Sequence, residues 1–158
     1  MATESDPKMV VEALAEHEEA MSALYNAFAQ RYPETGDFWK TLCAEEYAHG
    51  KLLRSLPGRV DEAGLRTFVA ARSVDLDEVR AETKRLVNLA QLTADAGLPL
   101  QEAFRTAVHL EDSLIESHVL VVTDEDSPEV AEVLGTLREQ TERHQRHLAE
   151  SLSTFSVR

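Results

Sequence analysis

The chain has 158 residues, with 29 acidic side chains against 16 basic ones and a net charge of −13. So acidic a protein is a poor partner for nucleic acid or an anionic membrane. The single Cys43 excludes an internal disulfide and a Cys-x-x-Cys metal knuckle. Aromatic residues, Gly and Pro are few, which suits an all-α protein, and the length fits one domain, residues 1–158. The start, Met-Ala-Thr-Glu-Ser-Asp-Pro-Lys, lacks a signal-peptide apolar region, and no apolar run is long enough to span a membrane, so a cytoplasmic location is expected.

Ser5 or Asp6 is placed to cap a first helix, with Pro7 in its first turn. That helix runs to about Arg31 with Val11, Leu14, Glu18, Met21, Tyr25, Phe28 and Tyr32 on one stripe. Glu18 lies mid-helix within this stripe, although Glu16 and Glu19 make a solvated glutamate the plainer reading. Pro33 to Gly36 breaks the chain, and Asp37 is expected to cap a second helix ending at Pro57-Gly58. So short a connection makes helices one and two an antiparallel hairpin, residues 8–56.

The second helix carries Leu42, Glu46, His49, Leu53 and Leu56 at three- and four-residue steps. Glu46 and His49 stand one turn apart on the inward face. A buried Glu needs a partner, and a Glu-x-x-His pair on an inward helix face is a di-iron carboxylate arrangement.

Residues 57–98 form a crossover. Glu62 to Arg72 has room for a short helix, and Asp75 caps a clear one from Leu76 to about Ala96, with Val79, Thr83, Leu86, Ala90 and Thr93 on one face. About 20 helical residues span roughly 30 Å, enough to return the chain to its starting end. A fifth packed helix and the contact surface of a homodimer are the other readings of this segment. A second hairpin, residues 99–153, follows. Its first helix is expected from Leu100 to about Val122, with Phe104, Ala107, Glu111, Leu114, His118 and Val121 inward. Its second is expected from Glu129 to about Leu152, with Leu134, Leu137, Thr141, His144 and Leu148 inward.

The halves echo one another. Glu18, Tyr25, Glu46 and His49 in the first correspond to Glu111, His118, Thr141 and His144 in the second. At these residues the chain resembles the ferritin-like superfamily, and within it the rubrerythrin-like proteins, over about residues 8–55 and 100–152. The resemblance implies a ferritin-like four-helix bundle with a long crossover and a non-haem di-iron centre that reacts with oxygen or peroxide, as in ferroxidase- or peroxidase-type oxidoreductases. The implied ligands are Glu18, Glu46, His49, Glu111 and His144. Glu46 and Glu111 would bridge, Glu18 would be terminal, and each His would bind one ion.

Two departures matter. The family's sixth ligand, a carboxylate, is Thr141 here, and no Cys-rich rubredoxin stretch is present. Three Glu against two divalent ions leave a charge of +1, which implies one tight and one weak ion. Iron is the expected metal and manganese the alternative, because oxygen and nitrogen donors suit both. Glu139 and Glu142 point away from the stripe, Glu45 is a remote substitute for the lost carboxylate, and His147, one turn beyond His144, reads as a surface imidazole, with a substitute nitrogen ligand as the alternative. His17 and His109 fall off the stripes and are expected at the surface. The competing hypothesis is a degenerate bundle without catalytic metal, acting as a structural or interaction module. Without metal, the clustered carboxylates are expected to hold raised pKa values. A hydrolase using Glu and His has little support: there is no Gly-rich loop, serine elbow or His-Glu-x-x-His.

Overall fold

The computed structural model describes residues 5–113, 119 and 121–156. Among these the protein is all-helical, without a strand. Helix α1 is Pro7–Arg31, followed by a 3-10 turn, Pro33–Thr35; then come α2 Gly36–Arg59, α3 Glu62–Arg72, α4 Leu76–Asp95, α5 Leu100–Glu111 and α6 Pro128–Ser156. No helix is long and apolar enough to cross a membrane.

The starts follow local chemistry. The Asp6 carboxylate accepts from Lys8 N, Asp61 from Gly64 N, Asp75 from Asp77 N and Glu78 N, and the Ser127 hydroxyl from Val130 N. Each takes up an amide with no intrahelical partner. The end of α4 uses Gly97, whose φ of 70° suits a left-handed residue after a helix, and whose N–H donates to Leu92 O.

Two helix ends differ from expectation. Pro57 does not stop α2, which continues to Arg59. Proline in the last turn removes one backbone bond, and Leu53 and Leu56 beside it are buried with Leu65 and Phe68 of α3, which holds the turn helical. The helix expected to reach Val122 stops at Glu111, and residues 121–123 are not helical. Val121, Val122 and Thr123 are β-branched and weak helix formers. Arg72 binds the chain around these residues. Its buried guanidinium donates to the carbonyls of Val119 and Val121 and pairs with buried Asp126, at 2.5 Å in the closest contact. Leu114 and His118, and with His118 the expected echo of Tyr25, lie outside the described residues.

Helix α1 packs against α2 on one side and α4 on the other, α5 packs on α6, and α2 meets α6. Helices α1 and α2 approach closely at Gly50, where an added Cβ would stand 3.2 Å from Ala15 O. The apolar interior is two clusters. One joins Val10 and Leu14 of α1 with Leu53 and Leu56 of α2, Phe68 of α3 and Leu134 and Leu137 of α6. The other joins Met21, Tyr25 and Phe28 of α1 with Trp39 and Leu42 of α2, Phe104 and Ala107 of α5 and Leu148 of α6. In the second, Trp39 stacks on Tyr25, packs edge-on against Phe28 and touches Phe104. Helix α4 reaches both, through Val79 and Leu86. Between the two clusters, on α1, α2, α5 and α6, the apolar stripe is interrupted by polar residues.

Candidate metal centre

The interruption falls at one level on each helix. On α1 it is His17 and Glu18, between Leu14 and Met21. On α2 it is Glu46 and His49, between Leu42 and Leu53. Helix α5 contributes Glu111, and α6 contributes Thr141 and His144, between Leu137 and Leu148. All seven side chains are buried, none more than 4% exposed. The ligand set implied by the sequence resemblance is thus brought together: Glu18, Glu46 and His49 form one compact group, Glu46, Glu111 and His144 another, and each offers ligand atoms within 4.8 Å of one another. Glu46 belongs to both.

Glu46 is the hub. Its Oε2 lies 3.1 Å from His49 Nδ1 and its Oε1 3.0 Å from His144 Nδ1. Glu18 is in hydrogen-bond contact with it as well. Glu111 Oε1 is 3.6 Å from His144 Nδ1 and accepts from the Tyr25 hydroxyl at 2.7 Å. Tyr25 is therefore a core aromatic whose hydroxyl holds a site carboxylate. The imidazoles lie nearly parallel, 23° apart, with centroids 5.7 Å from one another.

Each histidine turns Nδ1 to the carboxylates and has its other nitrogen held from behind. His49 Nε2 meets Gln140 Oε1 at 2.6 Å, and His144 Nε2 meets Glu45, which Arg143 holds at 2.8 Å. Outer partners of this kind orient metal-ligating imidazoles.

The charges explain how these groups share a buried layer. Burial alone would raise the pKa of Glu46, but the His144 and His49 imidazoles beside it outweigh burial and hold this carboxyl well below the usual range. Burial and the Glu46 charge push Glu111 up to about 7. Burial opposes a proton on His144, yet Glu111 and Glu46 overcome it and raise this imidazole to about 11. His49 is raised as well: burial again opposes, and Glu46 prevails. A uniform rise among the carboxylates is therefore not what the protein does, because the histidines act as internal counter-cations.

The residue types fit a metal ion. Oxygen and imidazole nitrogen donors are those that iron and manganese accept. Glu46 Oε1, Glu111 Oε2, His144 Nδ1 and Thr141 Oγ1 are buried without a hydrogen-bond partner. Buried polar atoms of this kind have bonding capacity that an ion could use.

Some side chains differ from expectation. His17, expected at the surface, is 1% exposed, and burial lowers its pKa to about 4, against a smaller opposing pull from Glu46. Its signal was present: Val10, Ala13, His17, Ala20 and Leu24 form a second three-four stripe on α1, all of it buried. Glu45 stands behind His144 rather than replacing the missing carboxylate. Gln140 escaped notice, although it lies one turn before His144 on the same helix. His109, Glu139, Glu142 and His147 are exposed, as expected.

Comparison with protein-family models, with curated proteins and with solved structures gives no match.

Proposed function

We propose that this protein is a ferritin-like metal-binding protein, in which α1, α2, α5 and α6 form a four-helix bundle around two neighbouring metal positions and α4 is the crossover. Iron is the metal the donors favour, with manganese the alternative. Glu18, Glu46 and His49 would hold one ion, and Glu46, Glu111 and His144 the other. The reading is carried by Glu46, a fully buried carboxylate whose two oxygens face the Nδ1 atoms of two histidines on different helices.

Iron in such a site supplies one-electron redox chemistry, with oxygen or peroxide as the oxidant. The chain's own residues hold the centre and move protons. His49 and His144 must give up the Nδ1 proton to bind, so loading releases protons. Gln140 and Glu45 keep both rings turned inward. Tyr25 fixes Glu111 by its hydroxyl, and Leu137 and Leu148 close the layer on either side against bulk water.

The test is metal content after anaerobic loading with iron(II) or manganese(II). His49→Ala should lower the bound metal far more than His109→Ala, whose imidazole is exposed. Equal losses in both variants, or no bound metal in the unaltered protein, would sink the reading. A second reading is favoured by the raised pKa values of His49 and His144: the layer can neutralise itself with protons, and the bundle would then be a metal-free structural or interaction module. In that case neither iron nor manganese would change the melting temperature.

A further inference from the structure

Thr141 has a hydroxyl with nothing to bond. It is 4% exposed, and its Oγ1 makes no hydrogen bond. A helical threonine ordinarily returns its hydroxyl to the carbonyl four residues earlier. Thr41, Thr83, Thr93, Thr136 and Thr154 all do so. Thr141 leaves its carbonyl alone and sits between two residues engaged with the site. Gln140 reaches His49, and His144 reaches Glu46. Thr141 is thus at the level of the polar layer, one helical turn before His144.

That group is also short of ligands and of negative charge. Glu111 Oε2 has no hydrogen-bond partner either, and on the metal reading the site has three carboxylates for two divalent ions. A monoanion corrects the charge and accepts from the hydroxyl in one step. The fully buried Leu137 and Leu148 close the layer one turn to either side on α6, so the occupant must be small.

Resting on the metal reading above, we propose that Thr141 marks a subsite for a small monoanionic carboxylate that stands in for the absent fourth glutamate. One of its oxygens faces the ion held by Glu46, Glu111 and His144, and the other accepts from Thr141 Oγ1. The chain thereby exchanges a permanent ligand for one that comes and goes.

Cobalt(II) serves as probe metal, because its visible spectrum responds to a changed ligand set, and formate serves as probe anion. Bound cobalt is counted by equilibrium dialysis in every sample before formate is added. The loaded protein should show a saturable spectral change with one formate, and the metal-free protein should bind none. Thr141→Val keeps the shape and loses the donor, so formate affinity should fall about tenfold or more, whereas Thr141→Ser should stay within about threefold. Thr141→Glu should abolish the response by filling the place from within. A loaded protein indifferent to formate, or a Thr141→Val variant that binds it as well as the parent, overturns the subsite while leaving the metal site standing. Absence of bound cobalt at the dialysis stage overturns the metal reading itself, and the subsite with it.

Discussion

The two ligand groups differ in how they are completed. The group of Glu18, Glu46 and His49 draws on the α1–α2 hairpin alone, two helices joined by four residues and packed closely at Gly50. The group of Glu46, Glu111 and His144 borrows its central carboxylate from α2 and takes the rest from α5 and α6, and a threonine stands where the repeat calls for a carboxylate. The first group is local and complete in its own hairpin. The second exists only when the halves dock. On the proposed reading, a sequence repeat with one altered member does not yield two equal sites: the shared glutamate would tie them together, and the altered position would make them unequal.

The largest expected effect comes from removing what they share. Glu46→Gln should abolish metal binding at both positions, and it should destabilise the metal-free protein by about 3–5 kcal/mol near neutral pH, because His49 and His144 lose their principal counter-charge. Metal analysis and denaturant unfolding check both parts. Loss of one ion only would mean that the groups are independent.

Next is pH. His144 is raised from 6.5 to about 11, so its contribution to stability is complete below pH 6.5 and is lost as pH climbs toward 11. The raised His49 acts in the same direction. Glu111, raised to about 7, favours the folded state on the acid side, and that advantage fades between pH 4.5 and 7. The metal-free protein should therefore melt roughly 5–10 °C lower at pH 9 than at pH 6. Loading with manganese(II) should remove most of that loss, since an ion replaces the protons. Calorimetry at the two pH values, with and without metal, gives the answer. The same alkaline loss with metal present would show that no ion displaces these protons.

The inequality of the groups is sharpened by Thr141→Glu. Without metal this buried extra charge should cost about 1–3 kcal/mol. With saturating metal the sign should reverse, by about 2–3 kcal/mol at a hundredfold excess over the dissociation constant, because the second position gains a carboxylate. Equal destabilisation with and without metal would place no ion beside residue 141.

The smallest effect belongs to His17, which flanks the first group. Its pKa is lowered to about 4, so the folded state loses stability as pH falls from 6.5 toward 4. His17→Leu should change stability little at pH 7 and reduce the acid-side loss by about 1 kcal/mol, measured as the difference between unfolding at pH 7 and pH 5. An unchanged acid profile would mean that His17 does not drive that loss.

Much of this molecule was legible in the sequence, because local rules act within a few residues. The three-four stripes, the caps at Asp6 and Asp75, and the break at Pro33 to Gly36 place α1, α2 and α4. Polar residues inside apolar stripes singled out Glu18, Glu46, His49, Glu111 and His144, since a helix face that buries its neighbours buries them too. What only the tertiary structure decided depends on chains meeting across the fold. The helix after Leu100 stops at Glu111 rather than near Val122, and Arg72, far away in sequence, takes the carbonyls of Val119 and Val121. Helix α1 packs against both α2 and α4, so its second stripe, with His17, is buried as well as the first, and it is the packing that shows both stripes to be covered. The charge state of the polar layer was likewise beyond the sequence. Whether a buried carboxyl is raised, like Glu111, or lowered, like Glu46, turns on which imidazole lies within about 3 Å of it, and that distance is set by the packing of α2, α5 and α6.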